Sequence, residues 1–438
     1  MTGRTETADI HEGIVGPGCE DAAVLTRLGF PRVGEHRRFV AAIVADTVGS
    51  GLFMPITLLY FLAMTDLSLV QVGSALSLSA VLTMPGAFVI GSLVDRFGPR
   101  KMMLIGNLVQ AVGMVAYLWA DSLLAVALWT ALLNLGRQSF WGSFGNVVTA
   151  ISAPGEREMW FGFLQAVRNL GYSIGGVLAG LALQVGTDVA YQSVVVVNAV
   201  TFVVAFVLLL DVPDHRVVHP ADAPVEGWGV VLRDTAYLRL VLGQLGFVAG
   251  MMVLNFALPV YVAETIDLPG WVVGAIFTLN TALVGLGQGL VVRRMTGRVR
   301  ARMMGLAQLT FVAAYALFVV AGWLPVWLAI VVMLVGAAIY TAGELTGGPV
   351  FSATAAEAAP DHLRGRYLGL FQLSWGLGGA VTPVAFTWLL AHGQTTLWWV
   401  LALVALASAA YLQRLPQVLP AAGKRVTNRV EEEAPEAA

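Results

Sequence analysis

Apolar stretches of roughly twenty residues recur from about Phe39 to Leu412, and each is long enough as a helix to cross ~30 Å of hydrocarbon. Twelve such spans fit the pattern, at roughly 37–63, 70–94, 101–120, 122–151, 160–184, 191–210, 236–263, 270–292, 302–321, 325–353, 363–391 and 395–414. At 58% apolar and 12% charged residues the chain has too little polar surface for a water-soluble globule, so hydrocarbon must cover much of it. The expected fold class is an all-α membrane protein of twelve transmembrane helices. The formal net charge of −2 gives no footprint for nucleic acid, and Cys19 is the single cysteine, so no intrachain disulfide forms.

The connections between spans alternate in charge. One set holds Arg96, Arg100, Lys101, Arg157, Arg216, Arg233, Arg239, Arg293, Arg294, Arg298, Arg300, Arg302, Arg364 and Arg366, whereas the loops around Asp66, Asp121, Asp188, Asp267 and His392 have neither Lys nor Arg. By the positive-inside rule the basic set is cytoplasmic. Both termini then lie inside too, since five Arg fall within the first 38 residues and Arg414, Lys424, Arg425 and Arg429 fall at or after the end of the last span. The polar start lacks the apolar core of a signal peptide and reads as a cytoplasmic tail. Of the 25 Lys+Arg, only Arg137 and Arg168 fall near the middle of apolar spans.

A polar linker rich in Pro divides the chain into a tail at 1–36, a six-helix half at 37–210, the linker at 211–235, a second half at 236–414 and a tail at 415–438. The halves look like copies. At an offset of 207 residues Arg137 meets Glu344, Gly136 meets Gly343, Arg157 meets Arg364, Gly162 meets Gly369, Gln165 meets Gln372 and Gly171 meets Gly378. Both halves run the same way, giving a parallel repeat with a substrate site between the halves at mid-depth.

Between spans two and three stands Gly91-Ser-Leu-Val-Asp95-Arg96-Phe-Gly98-Pro-Arg100-Lys101. It resembles the loop signature G-x-L-x-D-R-x-G-R-K of the major facilitator superfamily. The resemblance covers about 37 to 414 and implies a twelve-helix, two-half fold that works by alternating access. It also implies that this loop latches the cytoplasmic side shut, with Gly91, Asp95, Arg96, Gly98 and Arg100 as the gating set. In span four, Arg137-Gln138-Ser-Phe-Trp141-Gly142 is similar to the R-x-x-x-G element of the drug:proton antiporters, whose Arg is associated with proton coupling. Span five has Gly162, Gly171 and Gly175 at that group's glycine spacing, with Gly176 where a proline is expected.

The residues carry a reading of their own. Asp46 sits about eight residues beyond Arg38, hence ~12 Å into the bilayer, and Glu344 is the other deep acid. Ionisable side chains inside a membrane are costly and mark ion or substrate paths, and a carboxylate whose partner comes and goes can load and release a proton. Asp46, Arg137 and Glu344 are therefore the proton-coupling candidates, Glu344 serving equally well as a counter-ion for a cationic substrate. Asn134, Arg137, Trp141 and Phe144 share one face of span four, and Gln165, Arg168, Asn169 and Tyr172 one face of span five. With Tyr340, Gln372 and Trp375 these polar and aromatic groups suit an amphipathic, partly aromatic solute. Packing and interface anchoring are the plainer roles for the aromatics. Asp95 closes a helix where its carboxylate could meet another helix N-terminus or an Arg of the opposite half, while Arg96 and Arg100 could pair with acids or lipid phosphates.

Other chemistries find no residues. The lysines are followed by Met102 and Arg425, so no phosphate loop with G-K-[ST] exists, and Gly171-Tyr-Ser173-Ile-Gly175 lies inside an apolar helix instead of a strand-to-helix turn. His215 and His219 lack the further ligands of a zinc site. The expectation is a non-enzymatic, monomeric secondary transporter of a bacterial inner membrane. It needs no cofactor beyond a coupling proton, and its partners are a small molecule and the lipid bilayer. It exports an amphipathic drug or antibiotic; uptake of a metabolite, or a receptor or scaffold without flux, are the alternatives.

Overall fold

A computed structural model describes residues 30–153, 155–212, 227–269, 271–415 and 424–427. Most of the expected tails and linker residues 213–226 lie outside these. The described chain is helical throughout and builds the twelve-helix, two-half architecture. In the first half α1 comprises Arg37–Phe53 and Thr57–Met64, α2 comprises Leu69–Thr83 and Gly86–Phe97, and then come α3 (Pro99–Ala116), α4 (Leu123–Ile151), α5 (Arg157–Val185) and α6 (Asp188–Leu209). The second half has α7 (Thr235–Met252), prolonged by π-helical turns at Val253–Ala257 and Tyr261–Thr265, α8 (Trp271–Arg294), α9 (Arg300–Ala321), α10 (Val326–Ala358), α11 (Arg364–Ala391) and α12 (Thr396–Leu412).

Local sequence sets the ends and breaks. Ser68, Ser122, Thr187 and Asp234 accept from the first-turn amides of α2, α4, α6 and α7, and Ser68 forms a reciprocal capping box with Gln71. Pro85 lacks the N–H that would continue α2, and the two parts meet at a 45° bend. Pro55 and Pro259 sit at the matching breaks in α1 and α7.

By length and hydropathy seven described helices can cross a membrane, and eight when bent α2 counts as one span. The others are α4, α5 and α11, which carry Arg137, Arg168 and Gln372, and α12, which is only 17 residues long. Large apolar side chains stay exposed along α6 (Val200, Val203, Val207) and α12 (Leu403, Val404), surfaces suited to lipid.

Small residues set the closest crossings. A Cβ on Gly106 of α3 would lie 2.8 Å from the Gly136 carbonyl of α4, so backbone meets backbone there. The halves pack through α2 with α11, α5 with α8 and α10, and α4 with α11. Only the Gly86–Phe97 part of α2 makes extensive contact with α11, whereas the Leu69–Thr83 part packs on α4.

Candidate substrate and coupling site

At the basic end of the bundle, α11 begins at Arg364 with no capping side chain of its own. Asp95 of α2 supplies one from the other half. Its Oδ1 accepts from the Gly365 amide at 2.5 Å, and its Oδ2 from the Arg366 amide at 3.2 Å and the Arg366 Nη1 at 2.9 Å. A carboxylate thus meets both the positive end of a helix and a guanidinium. Gly91 makes the approach possible, since a Cβ there would sit 3.0 Å from the Gly365 carbonyl. Gly98 and Arg100 of the gating set serve their own half. Gly98 turns the chain at φ +90°, Arg100 donates to the Leu209 carbonyl at 3.3 Å and also to that of Leu210, closing the end of α6, and Arg96 lies over the Phe97 ring at 5.2 Å.

A second junction crosses the halves at the same end. Arg300, the first residue of α9, donates through Nε to Glu158 Oε1 of α5 at 2.7 Å and through Nη2 to Glu357 Oε1 of α10 at 3.0 Å, its Nη1 also reaching Glu357. Arg157 comes within 3.6 Å of Glu357. The Arg300 and Glu158 side chains are both fully buried. Sequence reasoning missed this junction because Arg300 reads as one more basic loop residue; Glu158 beside Arg157, and Glu357 thirteen residues after Glu344, were its signals.

At mid-depth Glu344 of α10 is clasped by neutral carboxamides. Its Oε1 accepts from Gln165 at 3.2 Å and Asn169 at 3.4 Å, both on α5 of the other half, and its Oε2 from Asn280 of α8 at 2.8 Å. Asn280 also reaches Thr341 Oγ1 at 3.0 Å. Asn280 and Thr341 were not singled out from the sequence, where uncharged polar residues of an apolar span carry little signal. Between Gln165 and Asn169, Arg168 places its guanidinium 4.2 Å over the Trp141 ring, with Nε buried and unpartnered.

Asp46 of α1 is fully buried, and the Gln110 side chain of α3 is the hydrogen-bonding group beside its carboxylate. Arg137 and Arg168 act on it electrostatically, and Arg168 acts on Glu344 as well. Arg137 is exposed, with no carboxylate in ion-pair range among the described residues. Arg137 is thus exposed in mid-span yet acts on a buried acid. Asn134 donates to Ser79 Oγ at 3.4 Å and Gln138 to the Thr83 carbonyl at 3.1 Å, tying α4 to the upper part of α2. Gln372 of α11 reaches the Trp141 carbonyl at 3.4 Å, while Tyr172 and Trp375 are half-buried.

One candidate lies elsewhere. Tyr340 is fully buried, stacks on Phe311 at 5.0 Å and donates to the Gly250 and Met251 carbonyls at 3.0 and 3.2 Å. Those carbonyls lie just before the π turn of α7, where the change of helix register frees acceptors, so Tyr340 secures that turn instead of lining the space between halves.

Residues 39–343 match the family model described as Major Facilitator Superfamily. The chain is 24% identical over 385 residues to the uncharacterized MFS-type transporter YdeE of Escherichia coli strain K12, covering 85% of this chain and 94% of that protein. It is 28% identical over 341 residues to multidrug resistance protein MdtH of Aeromonas hydrophila, covering 76% and 81%. Its fold is similar to the outward-facing crystal structure of a bacterial homologue of the iron transporter ferroportin, with a TM-score of 0.70 at 15% identity over 87% of this chain and 99% of that one.

Proposed function

The chain belongs to the major facilitator superfamily, and from that premise we propose that it exports a small amphipathic compound, such as a drug or antibiotic, in exchange for protons. The observation that carries this reading is Asp46, a fully buried acid with no ion pair among the described residues, set beside Arg137 and Arg168 in the first half. Its proton and the substrate would alternate as the halves rock, with Arg137, Trp141, Arg168, Asn169, Tyr172, Gln372 and Trp375 contacting the substrate. The name of the MdtH relative supports export over uptake. The test is accumulation of fluorescent amphipathic compounds in inverted vesicles under an imposed pH gradient. Loss of accumulated dye on collapsing the gradient supports proton-driven export, and accumulation only in right-side-out vesicles would reverse the direction.

The basic end is the cytoplasmic one in this scheme, with both termini inside the bacterial inner membrane. In a Cys19→Ser background, Asp121→Cys and Asp188→Cys react with an impermeant thiol reagent added to intact cells, whereas Ser152→Cys and Asp222→Cys do not. The opposite labelling would invert the topology.

Asp95 would hold this end shut. Asp95→Asn keeps the side chain's size but loses the charge that binds the α11 N-terminus and Arg366, an interaction worth roughly 1.5–3 kcal/mol. Distance measurements between labels at the basic ends of α2 and α11 should show the inward-open population rising by about tenfold or more. An unchanged distribution with normal transport would leave the loop a topological marker.

A further inference from the structure

Residues 424–427 of the C-terminal tail fold back onto the loop between α8 and α9. The Val426 amide donates to the Arg298 carbonyl at 2.9 Å, the Gly297 amide donates to the Val426 carbonyl at 2.7 Å, and Arg425 Nη1 reaches the Gly297 carbonyl at 2.8 Å. Val299 and Arg425 form an isolated antiparallel bridge, and the Val426 side chain is fully buried in the main apolar core. Gly297, at φ +79°, gives the loop its turn.

What this pairing fixes is the start of α9. Its N-cap residue, Val299, has extended backbone and no capping side chain, so the tail supplies by backbone pairing the order that Ser or Asp supplies elsewhere. The next residue is Arg300, the buried guanidinium that reaches Glu158 of the other half.

The first half has a counterpart. Late in the linker, Trp228 donates through its indole Nε1 to Ser92 Oγ at 2.9 Å and sets its ring edge-on to Phe88 at 5.0 Å. It abuts α2 at Gly91, one turn before Asp95. In both halves, therefore, the chain that follows the sixth helix returns beneath the element carrying the ionic contact to the opposite half.

We infer that the C-terminal segment 424–427 is a positioning element for Arg300, holding the start of α9 so that the Arg300–Glu158 junction closes the basic end, and that its release favours opening there. The inference needs only alternating access; it does not depend on protons or on the direction of transport.

The test uses the full chain in nanodiscs, in a Cys19→Ser background, with spin labels at Ala153→Cys and Arg302→Cys reporting the separation of the halves. Val426→Asp should raise the long-distance population by about tenfold, and Val426→Ile should leave it at the parent value. Arg300→Met should give a comparable shift, and the Val426→Asp/Arg300→Met double variant should add little to either, because the tail acts through Arg300. A chain ended after Leu415 undocks the same strand without burying a charge and should behave like Val426→Asp, including where that variant is not monodisperse. Unchanged distances in both the truncated chain and Val426→Asp, or fully additive shifts in the double variant, would overturn the inference. Dye accumulation driven by a pH gradient is measured on the same variants, so a failure of proton coupling is distinguished from a failure of the brace.

Discussion

Asp46→Asn removes pH-driven accumulation, with a drop on the order of 10²-fold or down to the level of empty vesicles, the scale expected when an essential acid–base group is lost. The substitution is nearly isosteric at a fully buried site where Gln110 is the neighbouring hydrogen-bonding side chain, and the Asn carboxamide can still accept from it, so packing survives and the bundle folds. On the proposed mechanism, what disappears is the charge that comes and goes beside Arg137 and Arg168. Downhill exchange of substrate persists, because a neutral carboxamide at this position lets the halves move but cannot carry a proton. Accumulation against a gradient with parental dependence on pH would sink the coupling role of Asp46.

Arg300→Met strands a buried acid. Glu158 is fully buried, and removing the guanidinium leaves it beside Glu357 without a counter-charge, Glu357 keeping only Arg157, a loss of roughly 3–5 kcal/mol. The variant should melt well below the parent, or escape the strain by opening the basic end, which the distance measurements above detect. The sign of the pH dependence follows from the charges: protonating the stranded carboxyl group removes the repulsion, so the deficit narrows as pH falls and widens as it rises. Adding Glu158→Gln should recover part of the lost stability at neutral pH. A deficit that does not change with pH would mean that the cost lies in packing and not in the unpaired charge.

Depth in the membrane was legible from the sequence, and partnership was not. The apolar context of Asp46 and Glu344 places them well inside their spans, and the 207-residue offset aligns the halves. That offset relates Gln165 to Gln372, yet Gln165 contacts Glu344 and Gln372 contacts Trp141, because symmetry pairs equivalent residues while packing pairs complementary ones. Asp95 was more readable. An acid ending a helix has few suitable partners at a membrane surface, and the helix end and the Arg proposed for it both meet it here. Tyr340 shows the opposite case, since in a helix apolar on every side hydropathy cannot tell a buried face from one lining a passage. Arg300 was hidden by its neighbours, a run of loop arginines that serve topology.

The clasp on Glu344 has an electrical consequence. Carboxamides can stabilise its charge but cannot cancel it, so the balance at mid-depth is struck among Asp46, Glu344, Arg137 and Arg168 as a set. With both acids ionised the four groups sum to zero. Each proton that enters makes the set positive by one, and a charge crossing the full membrane voltage changes its energy by about 2.3 kcal/mol per 100 mV. In the proposed exchange a neutral load leaves with the set at zero charge, so the current would flow on the return of the protonated set, and the resting voltage of the cell would bias which way the halves face even where pH is equal on both sides.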